Sequence, residues 1–182
     1  MYELATWGKD NTLETPITLS GRYFSDFLEL CLCNADMFSL NKAVWTNCVC
    51  EDFQKELEPF LEDKVKTTKW FGYDYSVAPP TDRREISVYL YRANMKVRDI
   101  ILRYCSDVFL RTGKDGAFQD SNQTLEDLCF FSGKQLFVGT VSHEFLLSVD
   151  PLNKEFEEFM GRVGNWNYIN QIPFSVVTAT GT

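Results

Sequence analysis

The sequence predicts an α+β fold in which helices pack on a mixed or antiparallel sheet of about four to five strands. Apolar residues recur every three or four positions in some segments and every second position in others, and the two patterns occur in mixed order along the chain. The 182 residues suffice for one compact domain. We therefore assign residues 1–182 to a single globular domain, in which 1–15 and 171–182 are expected to be less ordered.

The first part of the chain predicts two helices. Residues 20–34 place aromatic and aliphatic side chains at helical spacing, which indicates an amphipathic helix. Residues 51–65 show a similar apolar stripe that follows two acidic residues, as the positive end of a helix dipole favours. Pro59 interrupts this second stripe, so it either kinks the helix or starts a new one.

The middle of the chain predicts a strand followed by a helix. Residues 86–91 alternate aliphatic with polar or aromatic side chains, as a strand does. Asn94 is placed to cap a helix that continues to about Leu110. Charges of alternating sign along that helix predict a surface ladder of ion pairs formed by Lys96, Asp99, Arg103, Asp107 and Arg111.

The last part of the chain predicts a short helix, a hairpin and a final helix. The short helix opens at Ser121 or Asn122 and runs through Leu125 and Leu128. Residues 135–141 and 144–149 are rich in Leu, Val and Phe and are expected to pair as a hairpin. A helix containing Phe156 is expected to end near Gly164.

The composition and charge argue against nucleic acids and membranes as binding partners. A net charge of −8 argues against a nucleic-acid binder, which needs a continuous basic surface. The chain shows no apolar stretch long enough to span a bilayer and no signal-peptide pattern at its start, so we expect a soluble cytoplasmic protein that does not bind membranes. The six cysteines are then expected to be reduced. No cofactor is predicted.

The leading hypothesis is a non-enzymatic acidic domain that binds a basic protein, as an inhibitor or immunity protein masks its target. This analogy depends on size and charge, since acidic surfaces steer association with basic proteins. Core packing explains most clusters of aromatic residues like the one that follows the acidic segment, but loop aromatics beside a charged surface are also typical of interface anchors. The candidate partner-binding residues are Glu51, Asp52, Glu56, Glu58, Glu62, Asp63, Trp70, Phe71, Tyr73 and Tyr75.

A second hypothesis is an enzyme that acts on an anionic small molecule. His143 is the only histidine, so it is the candidate general base for a cysteine or serine nucleophile, and sites that need two imidazoles are excluded. Arginines in the basic part of the chain would bind the anion. These candidate anion-binding residues are Arg83, Arg84, Arg92 and Arg98.

A third hypothesis is a small zinc protein. Cys31 and Cys33 form one Cys-x-Cys pair, and Cys48 and Cys50 form another. Four thiolates could hold one tetrahedral zinc. The single-residue spacing requires strands or loops, because residues i and i+2 of a helix point about 200° apart. Buried free thiols are the alternative explanation of these cysteines.

Overall fold

The structure, a computed structural model, describes residues 1–4, 19–42, 51–79, 81, 83–111, 113, 125–170 and 174–175. Its helices are α1 (Gly21–Asn34), α2 (Glu51–Leu57), α3 (Met95–Tyr104) and α4 (Lys154–Met160). Its strands are β1 (Tyr2–Leu4), β2 (Met37–Lys42), β3 (Leu61–Thr67), β4 (Lys69–Trp70), β5 (Tyr73–Asp74), β6 (Ile86–Arg92), β7 (Glu126–Ser132), β8 (Gln135–Val141), β9 (Leu146–Val149) and β10 (Trp166–Tyr168). Short 3₁₀ turns occupy Glu58–Phe60 and Ser142–Glu144.

The fold is α+β and is organised around one antiparallel sheet. Among the described residues, eight strands form this sheet in the order β10-β1-β9-β8-β7-β2-β6-β3, and β4 and β5 form a separate two-stranded hairpin. Every strand pair in the large sheet is antiparallel. The first described strand pairs with the last, Glu3 opposite Asn167, so residues that are far apart in the sequence meet in the same sheet.

The large sheet buries side chains on both faces. In β6, Tyr89 and Tyr91 pack in the core that contains the four helices, whereas Val88 and Leu90 pack in a second core with the β4–β5 hairpin. This division follows from the strand period, because successive side chains point to opposite faces. The helices therefore cover one face of the sheet, and the hairpin covers part of the other.

Several local predictions are confirmed. The helix predicted at 20–34 is α1, and the strand predicted at 86–91 is β6. Asn94 caps α3 by accepting a hydrogen bond from the backbone N–H of Lys96 at 2.9 Å. The segments predicted as a hairpin are β8 and β9, which pair antiparallel. The predicted final helix is α4, although it ends at Met160 rather than near Gly164.

The sheet is larger than the four to five strands that the sequence predicts. One reason is that the helix predicted over 51–65 ends at Leu57, and the chain then forms a 3₁₀ turn and strand β3. Pro59 lies in that turn, where its missing N–H and fixed φ are tolerated at the start of a helical turn but not within a longer helix. The very short strands β1 and β10 also join the sheet.

Two further predictions are wrong. Leu125 and Leu128 do not belong to a short helix, because Glu126–Ser132 is strand β7; the proposed opening residues 121–122 lie outside the described residues. The helix predicted to reach Leu110 ends at Tyr104, so the ion-pair ladder does not extend along it. Asp107 instead lies buried beyond the helix, where its carboxylate accepts from the backbone N–H of Phe109 at 2.9 Å.

The β4–β5 hairpin packs against β8 without space for extra atoms. A methyl group at Gly139 would lie 2.6 Å from the Phe71 ring. Gly72, with φ +80°, forms the tip of the hairpin, and a Cβ there would lie 2.2 Å from a methyl group of Val141. Glycine at both positions therefore allows the hairpin to approach the sheet closely.

We predict that Gly139→Ala destabilises the protein by about 1–3 kcal/mol, because the new methyl group displaces the buried Phe71 ring. Urea unfolding measures this change. Gly161→Ala is the matched control, since the nearest atom to its added methyl group, a backbone oxygen, would lie at an ordinary 3.5 Å. We expect the control to change the free energy of unfolding by less than about 1 kcal/mol. Equal effects of the two substitutions would contradict the close packing described here.

Candidate functional site

The acidic segment forms an exposed surface at one edge of the sheet. α2, the following 3₁₀ turn and the edge strand β3 are consecutive in the chain, and each carries solvent-exposed carboxylates. At the amino end of α2 the dipole favours negative charge. We call this surface the acidic face and define it by Glu51, Asp52, Glu58, Glu62 and Asp63, all of them exposed.

Glu56, the remaining acid of the segment, connects two helices. Its carboxylate accepts a hydrogen bond from the Tyr104 hydroxyl at 2.7 Å and another from the Arg103 guanidinium. These bonds hold the pKa of Glu56 below its usual value, with the Tyr104 bond as the larger cause. Glu56 therefore joins α2 to α3, and we leave it out of the acidic face.

A groove of about 290 Å³ adjoins the acidic face. Polar side chains of α2 and the 3₁₀ turn form its rim, and two tyrosines of β6 form its floor together with one leucine of β3. The Tyr89 and Tyr91 rings are nearly parallel, with 6.5 Å between their centroids. Burial raises the pKa of Tyr91, so its hydroxyl stays protonated at neutral pH. The lining residues are Glu51, Gln54, Lys55, Glu58, Leu61, Tyr89 and Tyr91.

The aromatic cluster that follows the acidic segment lies mainly in the core. Trp70 is 2% exposed, Phe71 4% and Tyr73 8%, and all three belong to the second core beneath the hairpin. Tyr75 is partly exposed. The expected aromatic anchors therefore present little area to a partner, and the partner-binding hypothesis depends on the carboxylates instead.

Tyr73, Asp127 and His143 form a polar network where the hairpin meets the sheet, in which Tyr73 and Asp127 are buried and His143 is exposed. The Tyr73 hydroxyl donates to the Asp127 carboxylate at 2.6 Å and lies 3.2 Å from Nδ1 of His143. Asp127 also accepts from the backbone N–H of Ser142 at 2.7 Å and from the amide of Asn41 at 3.3 Å. This network links β2, β5, β7 and the turn after β8.

The protonation chemistry of this network suits a structural role. Burial raises the pKa of Asp127 even though three hydrogen bonds oppose the shift. Burial, and next the charge of Asp127, place the pKa of Tyr73 far above its usual range, so this hydroxyl stays protonated. A tyrosine held in this way donates a hydrogen bond and does not exchange protons near neutral pH. The network therefore fixes the hairpin to the sheet.

The four candidate anion-binding arginines do not converge on one pocket. Arg83 and Arg84 precede β6 and Arg92 ends it, so the length of β6 separates them by about 20 Å. Arg92 lies 3.6 Å from Glu62, and the Nε of Arg83 donates to the carbonyl of Ala78. Arg98 fastens α3 to α1 through the Ser25 hydroxyl at 2.7 Å. The geometry gives Arg83, Arg92 and Arg98 local structural contacts.

The structure describes one of the two Cys-x-Cys pairs. Cys31 and Cys33 both lie on α1, the first buried and the second exposed, so they cannot ligate the same ion. Cys48 and Cys50 lie outside the described residues. Burial raises the pKa of the Cys31 and Cys129 thiols, which disfavours the thiolate that a nucleophile or a metal ligand requires.

Sequence reasoning missed two groups of residues. The first is the tyrosine floor, although the alternation of β6 already places Tyr89 and Tyr91 on one face. The second is the buried carboxylate of Asp127, which is recognisable as an acid within the apolar run 125–131. In both cases the residues stand out in the sequence, but the distant residues that contact them in the fold cannot be identified from it.

Comparisons with protein-family models, with curated proteins and with solved structures each found no match for this chain. In the part of the chain that the structure describes, no helix has the length and apolarity needed to cross a membrane. The same described ranges contain no group of three or more His, Cys, Asp and Glu side chains placed to hold a metal ion. The function is therefore inferred from the chain's own residues.

We predict that Glu56→Gln lowers the melting temperature at pH 7 and that this difference disappears in acid. Because the folded-state pKa of Glu56 is lowered, its charge stabilises the fold above the ordinary glutamate pKa of about 4.3, and that contribution is lost as the pH falls through the folded-state value. Thermal unfolding between pH 7 and pH 3 measures it. The control Glu51→Gln removes a carboxylate whose ion pair, with Lys55, is exposed, and should change little. A Glu56→Gln difference that is undiminished at pH 3 would contradict this assignment.

We predict that Tyr73→Phe costs about 1–3 kcal/mol of stability, because it leaves the buried Asp127 carboxylate without its shortest hydrogen bond. Urea unfolding at pH 7 measures the loss. Tyr75→Phe is the matched control: it removes a hydroxyl from the partly exposed neighbouring ring and should cost less than about 0.5 kcal/mol. If both variants unfold at the same urea concentration, the network does not anchor the hairpin.

Proposed function

We propose that this protein is a non-enzymatic binding module whose acidic face captures a basic protein, in the manner of an inhibitor or immunity protein. The observation that carries the proposal is the concentration of five exposed carboxylates on three consecutive elements at one sheet edge. Such a surface attracts a positively charged partner and raises its rate of association.

The position of the acidic face supports this role. β3 is a terminal strand in the order of the large sheet, so the carboxylates on it and on the preceding turn lie at the margin of the fold, where a large partner can approach. Glu58 and Asp63 are exposed there. The adjoining groove provides a concave contact beside the charged surface. Charge and shape therefore occur together at this edge.

The enzymatic alternative has less support from the geometry. The Cys129 thiol is held protonated by burial, and next by the charge of Asp127. Tyr73 is similarly held protonated, although it is the closest acid–base partner of His143. These groups have the protonation states of structural residues.

The proposal predicts that charge reversal at the acidic face abolishes capture of a basic protein. The full chain is immobilised at low salt and exposed to an extract of its native source, and the bound proteins are identified. The variant Glu58→Lys with Asp63→Lys should lose the captured protein. Measured with the purified partner, its association rate should fall about tenfold or more, and the loss should shrink as salt is added.

The matched control reverses the same number of charges elsewhere. Glu155 and Glu157 are exposed on α4, and α4 lies over β8 through the contact of Phe156 with Phe137. β8 is four strands away from β3 in the sheet. Glu155→Lys with Glu157→Lys should leave capture nearly unchanged. If both double variants lose capture equally, the net charge of the protein explains the loss and the acidic face is not the binding site. If neither variant loses capture, the proposal is overturned.

A further inference from the structure

The floor of the groove contains two tyrosines whose rings are buried and whose hydroxyls are open to the groove. Tyr89 is 4% exposed and Tyr91 1%. Within the described residues neither hydroxyl has a hydrogen-bond partner, and both side chains line the groove. Neither hydroxyl belongs to the fully buried polar atoms that lack a partner, so both oxygens reach the open space of the groove. These hydroxyls are therefore available to a ligand that enters the groove.

The groove lining carries more negative than positive charge. Glu51 and Glu58 contribute two carboxylates against the one ammonium of Lys55, and the Gln54 amide and the two phenols can each donate and accept hydrogen bonds. A ligand that matches this balance of charge is cationic and carries several donors for the carboxylate and phenol oxygens. We infer that the groove receives an arginine side chain of the basic partner, whose guanidinium binds the rim carboxylates and the tyrosine hydroxyls.

Arginine fits this set better than lysine does. The guanidinium carries five N–H donors in a planar fork and no acceptor, so it can bind several oxygens at once, and it is less strongly hydrated than an ammonium group. The groove, at about 290 Å³, is at the lower limit for small-molecule sites, which suits a single side chain. An arginine in a pocket at the centre of an interface is also a frequent source of binding energy.

The lysine at the rim shows that the groove already accommodates positive charge. Lys55 lies 3.4 Å from Glu51 and contributes to the lining. Outside the rim, the ammonium of Lys64 lies 4.7 Å from the centre of the Tyr89 ring. An incoming guanidinium competes with Lys55 for the same carboxylate. Removal of Lys55 should therefore strengthen the binding of a cation and weaken the binding of an anion.

This inference deepens the proposed function and depends on it for the source of the arginine, but its test needs no partner. The probe is blocked arginine, N-acetyl-arginine methylamide, titrated into the isotope-labelled full chain and followed by NMR. Blocked lysine and blocked citrulline, which replaces the guanidinium by a neutral urea, are the comparison probes. We expect arginine to shift the side-chain amide of Gln54 and the backbone amide of Leu61, and to bind several-fold tighter than either comparison probe.

Variants then test the individual contacts. Tyr91→Phe keeps the buried ring and removes only the unpartnered hydroxyl, so it should raise the Kd for blocked arginine roughly two- to tenfold. Glu58→Gln, on the surface, should also raise it, and Lys55→Gln should lower it. Glu155→Gln removes an exposed charge on α4, outside both the groove lining and the acidic face, and serves as the control.

Each outcome decides the inference. Arginine-selective shifts that weaken in Tyr91→Phe and Glu58→Gln support it. Equal binding of arginine and lysine, or of arginine and citrulline, overturns it, as does weaker binding in Lys55→Gln. If blocked arginine does not bind while the acidic face still captures a basic protein, the groove inference fails and the proposed function stands. If blocked arginine binds but no protein is captured, the guanidinium site stands and the proposed partner class fails.

Discussion

The central strands of the sheet carry apolar side chains on both faces, and this constraint shapes the rest of the fold. A strand such as β6 cannot leave either face in water, so the helices cover one face and the β4–β5 hairpin covers part of the other. The hairpin is short, so it must approach closely, which explains the glycine at position 139. Its Tyr73 then reaches the sheet, where it satisfies the buried carboxylate of Asp127.

The same constraint explains where a surface remains for binding. β3 lies at the edge of the sheet, and its exposed residues include charged side chains, a common means of preventing edge-to-edge pairing. The short helix α2 ends before it covers the hydroxyl ends of the β6 tyrosines completely. The carboxylates of the acidic face and the open hydroxyls of the β6 tyrosines therefore lie next to each other at this edge of the sheet. Neither feature alone requires a ligand, but together they match a donor-rich cation.

The sequence predicted those elements that are stabilised by residues close to them in the chain. The helix cap at Asn94 and the alternation in β6 depend on neighbours within a few residues, so both could be predicted. The strand at Glu126–Ser132 could not be predicted, because Glu126 and Asp127 interrupt its apolar sequence. Buried acids need hydrogen-bond partners, and the partner Tyr73 is 54 residues from Asp127 in the sequence. The candidate site divides in the same way. The carboxylates were visible in the sequence, whereas the tyrosine floor depends on how α2 crosses β6.

In the proposed function, net charge and a shaped groove contribute differently to recognition. Long-range attraction from the acidic face would accelerate encounter with many basic proteins, and this attraction is screened within about 8 Å at physiological salt. Discrimination among those proteins requires short-range contacts that only one arrangement of donors can satisfy. In this proposal the hydroxyls of Tyr89 and Tyr91 supply such contacts, because burial of both rings fixes their positions. Lys55 would add selectivity, because it forms an ion pair with Glu51 at the rim. A cation that binds the rim carboxylates only weakly could not displace Lys55 from this ion pair.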